Sequence, residues 1–277
     1  MNQKSLPTHI KTYVRGLDTY CQKTWCPGCT DFAILEAVKR AISELIEKGT
    51  PRENFVFTCG IGCHAKVFDY LNLNSFYGLH GRCIATAQGI KLANPNLKVL
   101  AFVGDGDTYN EGISHLIHAA KRNTNITVLV HDNRNFALTV SQFTATSPKG
   151  FKGSSTPKGS IEEPFNPLEL VLASGATFIA RGYALKIEHL KDLILKAIEH
   201  KGFSFLEILQ PCITFSDNRK FYEDRIYGLE EKDLISKEKA LMKIREWDYS
   251  DGEGARIPIG IFYQIQKPTF EELVLKS

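Results

Sequence analysis

The sequence predicts an α/β protein with a doubly wound, mostly parallel sheet, flanking helices and an irregular C-terminal extension. Short apolar runs alternate with helical patterns along the chain, as in doubly wound folds. Two of these runs open onto glycine-rich turns. The 277 residues are 43% apolar and 23% charged, which is typical of a chain with a sizeable core. We expect an α/β unit over residues 1–210 and an extension over residues 211–277 that packs on it and contacts a partner.

The elements follow from the spacing of the apolar residues. Uninterrupted apolar runs predict buried strands over residues 54–58, 98–103, 126–130, 177–183 and 203–209. Apolar residues at helical spacing predict a helix of about 18 residues from Thr30 to a stop at Gly49, and further helices over residues 113–120, 187–200 and 230–245. Residues 142–167 lack periodicity and predict a long functional loop.

Charge and targeting signals narrow the class of protein. The 34 basic and 31 acidic residues give a net charge of +3 without long runs of one sign, which argues against nucleic-acid or membrane-surface partners. We expect no signal peptide and no membrane span, because neither apolar pattern is present. The expected location is therefore cytoplasmic. In that reducing compartment, the 7 cysteines indicate metal binding or catalysis rather than a disulfide framework.

A Gly-Asp-Gly turn and a later Asn predict a metal site. Asp105 and Asn133 follow two successive strands whose carboxyl ends meet at one edge of a parallel sheet. With the main-chain carbonyl of Asn135 they offer Mg²⁺ the oxygen ligands it prefers and leave room for a diphosphate. Gly104 and Gly106 let the backbone approach that anion. The spacing resembles the magnesium diphosphate signature of thiamine-diphosphate enzymes.

Two neighbouring carboxylates are not expected to bind the metal. A third carboxylate would repel the diphosphate, so Asp107 and Asp132 are predicted to support the ligands or to face solvent. The Gly-x-Gly-x-x-Ala pattern from Gly60 also matches a dinucleotide fingerprint. No Asp or Glu stands between Asp69 and Asp105, however, so a nicotinamide cofactor is disfavoured.

The Cys26-Pro-Gly-Cys29 segment has three interpretations. A thioredoxin-like dithiol would need an apolar strand upstream, and residues 17–24 are not one. Two further thiolates would complete either a zinc site or a [4Fe–4S] site. The candidates for these are Cys59, Cys63, Cys83 and Cys212. Spacing alone leaves cluster, zinc and dithiol open.

Three segments together resemble the β subunit of 2-oxoacid:ferredoxin oxidoreductases. They are Trp25-Cys-Pro-Gly-Cys29, Gly60-Ile-Gly-Cys63 with Gly78-Leu-His-Gly-Arg82, and Gly104-Asp-Gly-Asp107 with Asp132-Asn133. The resemblance continues through Ala87–Pro95, Ala137–Gln142, Thr146–Pro148, Gln210–Cys212 and Ile257–Tyr263.

This resemblance implies thiamine diphosphate, Mg²⁺ and one [4Fe–4S] cluster. The implied cluster ligands are Cys26, Cys29, Cys63 and Cys212, with Cys59 as the main rival to Cys63. The implied Mg²⁺ ligands are Asp105, Asn133 and Asn135. The implied cofactor contacts are Ile61, Gly62, Cys63, His64, His80, Asp105, Gly106, Asn133, Asn135 and Leu138. Of these, His64 and His80 are the candidates for catalytic proton handling.

The implied reaction is the coenzyme-A-dependent oxidative decarboxylation of a 2-oxoacid, either 2-oxoglutarate or pyruvate, with electrons passing through the cluster to ferredoxin. The glutamate that polarises the cofactor ring in such enzymes is expected on an α subunit. The apolar run Ile257–Tyr263 is either a docking strand for that partner or an edge strand of this chain's own core.

The sequence also departs from the family pattern. Phe136-Ala137 stands where Tyr-Gly is common, and Val140-Ser141 stands where Lys-Gly or Gly-Gly is common. Because a lysine there would contact the substrate carboxylate, Val140 bears on the choice of substrate. The competing hypotheses are a non-redox thiamine-diphosphate-dependent decarboxylase subunit and a zinc-stapled interaction protein.

Overall fold

The computed structural model describes residues 16–232, 234–252 and 254–276. Its strands are β1 Phe55–Cys59, β2 Asn74–Tyr77, β3 Lys98–Gly104, β4 Thr127–Asp132, β5 Phe178–Tyr183, β6 Ser204–Leu209, β7 Ile226–Gly228 and β8 Ile257–Gln264. Its α-helices are α1 Asp31–Glu47, α2 Val67–Tyr70, α3 Cys83–Ala93, α4 Ile113–Arg122, α5 Pro167–Ser174, α6 Ile187–Glu199, α7 Arg219–Glu223, α8 Lys237–Ile244 and α9 Phe270–Val274.

The strands form one sheet in the order β2-β1-β3-β4-β6-β5-β8-β7. All neighbouring pairs are parallel except β5 and β8, which are antiparallel. Every residue of β4, β5 and β6 is buried. This explains the uninterrupted apolar runs, because both faces of a parallel sheet are covered. The predicted mostly parallel, doubly wound sheet is confirmed.

Helices cover the sheet on both sides over two apolar cores. One core joins α1 and α6 to the strands, with Ile34, Ile42 and Leu190 fully buried. The other joins α3, α4, α5 and α8, through residues such as Leu116 and Ile244. This layered arrangement holds the carboxyl ends of the central strands at one edge, where the polar turns project.

Several elements differ from the expectations. The apolar patterns do not predict β2, because its four residues are all exposed and carry no buried apolar run. They do not predict α3 either. The helix expected over 230–245 covers only Lys237–Ile244, and residue 233 lies outside the described part. α1 does follow Thr30, but the Thr30 hydroxyl donates to the carbonyl oxygen of Pro211 at 2.9 Å instead of capping the helix.

The apolar run Ile257–Tyr263 belongs to this chain's own sheet. It forms most of β8, which lies between β5 and β7 and is buried throughout this run. The docking-strand hypothesis is therefore wrong, and the run is not an edge strand either. Residues 1–15, the start of the predicted first unit, lie outside the described residues. Within the described ranges, no helix is long and apolar enough to cross a membrane.

Candidate active site

The candidate site lies where the strand order changes direction. From β1 the sheet extends to β2 on one side and to β3 and β4 on the other. In open α/β sheets, ligands bind beside the carboxyl ends of the strands at such a switch point. The turns after β1, β3 and β4 converge here and line a cavity.

Asp105 follows β3 and is almost completely buried. Its Oδ2 accepts hydrogen bonds from the hydroxyls of Thr144 at 2.6 Å and Thr146 at 3.3 Å. Burial raises the pKa of Asp105 to about 6, against the opposing effect of these hydrogen bonds. Thr144 and Thr146, in the loop after residue 142, therefore hold this carboxylate in place.

Asn133 and Asn135 form a tight turn after β4. The Asn135 backbone N–H donates to Asn133 Oδ1 at 3.1 Å, and Asn135 Nδ2 donates to the Asn133 carbonyl oxygen at 2.8 Å. Asn133 Nδ2 donates to Gln210 Oε1 at 3.3 Å. Asn135 Oδ1 is buried and has no hydrogen-bond partner within the described residues. A buried oxygen of this kind is available to a ligand.

Asp107 is buried and connects two loops. Its Oδ1 accepts backbone hydrogen bonds from Ile61 at 3.2 Å and Gly81 at 2.8 Å, and lies 3.2 Å from His80 Nδ1. Gly60 permits this arrangement, because a Cβ there would lie 1.8 Å from Asp107 Oδ2. The expectation that Asp107 supports the site is consistent with these contacts, whereas a solvent-facing position is wrong.

Asp132 is fully buried as well. Its Oδ1 accepts from the Arg134 backbone N–H at 3.0 Å and from Thr146 Oγ1 at 2.9 Å. Burial and the nearby carboxylates of Asp105 and Glu207 raise the pKa of Asp132 well above its ordinary value. A solvent-facing Asp132 is therefore excluded too.

His64 forms one wall of the cavity. It is buried, and a Cβ at Gly104 would lie 2.7 Å from His64 Nδ1, so the glycine after Val103 allows the imidazole to pack against the strand end. Burial, with His131 and His80 nearby, lowers the pKa of His64 well below its ordinary value. The ring is therefore neutral at pH 7, and its Nε2 has no hydrogen-bond partner in the described part of the chain.

Nine of the ten predicted cofactor contacts line this cavity. They are Ile61, Gly62, Cys63, His64, Asp105, Gly106, Asn133, Asn135 and Leu138. The tenth, His80, reaches the site through Asp107. Sequence reasoning misses the lining residues Phe136, Ala137 and Thr139 and the contacts of Thr144 and Thr146 with Asp105. Ala137, Thr139 and Thr146 belong to the motif segments 137–142 and 146–148, to which the sequence alone assigns no roles, whereas Phe136 and Thr144 lie outside these segments.

The four predicted cluster cysteines line a second, adjacent cleft. Cys26, Cys29, Cys63 and Cys212 all border it, and its volume is about 180 Å³. The two cavities share Cys63, Asn133, Ala137 and Leu138 as lining residues. The Trp25 indole donates to the Cys63 carbonyl oxygen at 2.8 Å and so fastens the N-terminal segment to the turn after β1.

Three cysteines of this cleft, Cys29, Cys63 and Cys212, are partly shielded from water, and Cys26 is exposed. Burial and the charge of Asp31 raise the pKa of Cys63 to about 12 and also raise that of Cys29. The Cys29 thiol donates to Asp31 Oδ2 at 3.6 Å. Across the ranges described, no three His, Cys, Asp or Glu side chains converge on one position suited to a single metal ion.

The remaining cysteines lie elsewhere. Cys59 is fully buried in β1 as part of the apolar core, and Cys83 is buried beside the Thr58 hydroxyl at 3.0 Å. Cys21 packs against the first core. None of the three lines the cleft, so the structure groups Cys63 and not Cys59 with the other candidates.

Comparison with known families identifies the class of protein. Residues 60–208 match the model of the C-terminal TPP binding domain of thiamine pyrophosphate enzymes. Residues 212–276 match the model of the C-terminal region of the pyruvate ferredoxin oxidoreductase beta subunit. The switch-point cavity lies in the first of these segments, which covers more than half of the chain.

Individual relatives are similar over most of their length. The subunit beta of 2-oxoacid:ferredoxin oxidoreductase 1 from Aeropyrum pernix is 41% identical over 276 residues, 93% of this chain and 84% of that protein. The corresponding subunit from Saccharolobus solfataricus is 43% identical over 256 residues, 87% of this chain and 81% of that protein.

A solved structure has the same fold. It is the 2-oxoglutarate:ferredoxin oxidoreductase from Magnetococcus marinus with 2-oxoglutarate, coenzyme A and succinyl-CoA bound, at TM-score 0.89 and 34% identity. The match covers 95% of this chain and 88% of that chain. The protein thus belongs to the β subunits of the 2-oxoacid:ferredoxin oxidoreductases, and it is one subunit of a multi-subunit oxidoreductase.

Proposed function

We propose that this chain binds thiamine diphosphate, Mg²⁺ and a [4Fe–4S] cluster, and with an α subunit oxidises a 2-oxoacid to acyl-coenzyme A and CO₂ while reducing ferredoxin. One observation carries the proposal: the oxygen-lined cavity and the four-cysteine cleft are adjacent and share lining residues. A non-redox decarboxylase has no need of the second cleft.

The residues of the first cavity suit Mg²⁺ and a diphosphate. One carboxylate, Asp105, and amide or main-chain oxygens of Asn133 and Asn135 are the hard donors that Mg²⁺ takes when phosphates complete its coordination. The unpartnered Asn135 Oδ1 supports this fit. Gly106 makes room for the ring of Phe136, because a Cβ there would lie 2.2 Å from Phe136 Cε1.

When bound, thiamine diphosphate supplies the nucleophilic carbon and the electron sink for decarboxylation. The chain's own task is to position it. His64 is neutral and buried on the cavity wall, and its unpartnered Nε2 is available for a hydrogen bond with the cofactor. His80 is 36% exposed at its side chain and its Nδ1 lies 3.2 Å from Asp107 Oδ1, so it contacts both the solvent and the site.

The cysteine cleft suits an iron–sulfur cluster. Four thiols are the usual ligand set of a [4Fe–4S] cluster. All four line one cleft, which supports their joint role as cluster ligands. When bound, the cluster supplies one-electron transfer, and Cys26, Cys29, Cys63 and Cys212 hold it.

The substrate choice is expected to depend on Val140. Val140 has a left-handed backbone conformation, with φ at 71°. It is 61% exposed and follows Leu138 and Thr139, which line the cavity. Its isopropyl group offers no charge to a second carboxylate. We therefore expect pyruvate-like 2-oxoacids to be used faster than 2-oxoglutarate.

A partner subunit is expected to close the cavity. The apolar side chains of Leu79, Leu138 and Val140 are 77%, 47% and 61% exposed on the turns around the cavity. Such a patch marks an interaction surface. We assign it to the α subunit, which also supplies the glutamate that activates the cofactor ring.

The division into residues 1–210 and 211–277 remains a prediction.

Reconstitution tests the proposed function. The chain is purified anaerobically, alone and co-expressed with its α subunit, and assayed for viologen reduction that depends on 2-oxoacid and coenzyme A. We expect visible iron–sulfur absorption in both samples and turnover only in the complex. Turnover by the lone chain would contradict the shared site. A colourless complex that releases an aldehyde would instead identify a non-redox decarboxylase.

A further inference from the structure

A buried arginine stands between the two asparagines of the metal-binding turn. Arg134 is 1% exposed and has a left-handed backbone with φ at 60°. That conformation is uncommon outside glycine and persists only where the surroundings enforce it. It directs the chain so that the Asn135 backbone N–H meets Asn133 Oδ1. The shape of the turn therefore depends on whatever holds Arg134.

The guanidinium of Arg134 is held mainly by the C-terminal extension. Nη1 donates to Asp251 Oδ1 at 2.6 Å, and Nη2 donates to the Tyr249 carbonyl oxygen. Its centre lies 5.6 Å from the ring of Trp247. On the other side, Nε donates to the Thr146 carbonyl oxygen at 2.9 Å. One side chain thus joins three segments of the chain.

The part of the extension that contacts Arg134, residues 247–251, is itself held by buried groups. Tyr249 stacks on Trp247 at 4.2 Å between ring centroids. Its hydroxyl donates to Glu207 Oε2 at 2.5 Å and accepts from Arg181 Nη2 at 2.7 Å. Since Arg181 and Glu207 are fully buried in β5 and β6, residues 247–251 are tied to the centre of the sheet.

We propose that Arg134 is a positioning residue, through which residues 247–251 of the C-terminal extension hold Asn133 and Asn135 in the geometry that binds Mg²⁺ and diphosphate. This inference rests on the proposed function. It gives the extension a role in cofactor binding that is separate from any contact with a partner. Groups that orient metal ligands are often worth 10- to 100-fold in metal affinity.

The test compares three variants as complexes with the α subunit. Arg134→Met keeps an apolar side chain and removes the guanidinium. Asp251→Ala removes the half-exposed carboxylate that accepts one hydrogen bond from Arg134. Arg245→Met is the matched control, because Arg245 joins the same extension to Glu169 of α5 instead of to the turn. Calorimetry gives the thiamine diphosphate Kd at fixed Mg²⁺, and a titration gives the Mg²⁺ half-saturation at saturating cofactor.

We expect Arg134→Met to raise both constants at least about tenfold, Asp251→Ala to raise them about threefold, and Arg245→Met to leave them unchanged. A purely structural role would lower the melting temperature without moving the Mg²⁺ half-saturation of the folded complex. Unchanged constants in a folded Arg134→Met variant would overturn the proposal. If that variant does not fold, unchanged constants in Asp251→Ala overturn it. A wild-type complex that binds no thiamine diphosphate refutes the proposed function itself.

Discussion

The Asp105 cavity and the cysteine cleft lie side by side at one edge of the sheet, yet their polar groups are held differently. In the cavity, Asp105 accepts a hydrogen bond from the Thr144 hydroxyl, Asn133 donates one to Gln210, and the Asn135 backbone N–H donates one to Asn133. In the cleft, the thiols come from three distant parts of the chain and border open space. In the first region hydrogen bonds hold the polar groups themselves, whereas in the second they join the segments through Trp25 and Thr30 and leave the thiols bordering the cleft.

The first prediction tests the cleft, where the expected change is loss of the cluster itself. Cys212→Ser should lower bound iron about tenfold or more and bleach the visible absorption, because a cluster ligand is lost. The same result is expected for Cys26, Cys29 and Cys63, measured by iron analysis and spectroscopy. The matched controls Cys59→Ser and Cys83→Ser change thiols outside the cleft and should keep their iron. Iron lost from Cys59→Ser but kept in Cys63→Ser would reverse the assignment.

A second change tests the cavity. Asp105→Ala should weaken thiamine diphosphate binding by about 3 kcal/mol, or roughly a hundredfold, because the metal loses its carboxylate. The fold should persist, since the buried carboxylate carries a desolvation penalty that alanine lacks. Calorimetry measures the binding, and Asp192→Ala on the exposed face of α6 is the control. Undiminished binding in Asp105→Ala would refute the metal assignment.

The smallest effect concerns a third polar region, at the amino-terminal ends of β5 and β6. His200 Nε2 lies 2.9 Å from the Thr177 hydroxyl, and burial lowers the pKa of His200 to about 4. The unfolded chain therefore takes up this proton first, near pH 6.5. The stability contribution is complete above about pH 6.5 and is lost as the pH falls towards 4.

The buried His200 should lower the free energy of unfolding by about 2 kcal/mol between about pH 7.5 and pH 4. His200→Gln should flatten this part of the pH profile in urea unfolding. His118→Gln, at an exposed position of α4, should not. A profile for His200→Gln that parallels the wild type would show that other groups carry the acid sensitivity.

Sequence patterns locate most of the fold because its central strands are buried on both faces. Apolar runs predict β3, β4 and β6, and the turns after them carry the chemistry. β2 escapes prediction because its stability comes from pairing with β1, and its side chains are all exposed. β8 is recognisable as apolar, but its position between β5 and β7 depends on long-range pairing that no local pattern encodes.

The sequence also predicts part of the candidate site, because the buried parallel strands determine where the turns that follow them lie. Asp105 and Asn133 follow strands, so parallel topology alone brings them together. The burial of Asp107 and Asp132 does not follow from the sequence, because a carboxylate is ordinarily exposed unless backbone or hydroxyl donors compensate it. Those donors, such as the backbone N–H groups of Ile61 and Gly81, belong to loops whose approach the sequence does not reveal.

The late position of β8 in the sequence also limits the order in which the strands of the sheet can pair. β5 pairs with β6, which follows it closely, but its other edge pairs with β8, which begins only at residue 257. While the intervening chain is synthesised, that edge of β5 presents unpaired backbone groups beside a row of apolar side chains. Bare edges of this kind template aggregation. A chain in which β5 and β6 had paired before β8 was made would leave this edge open to other chains, and pairing with β8 would close it.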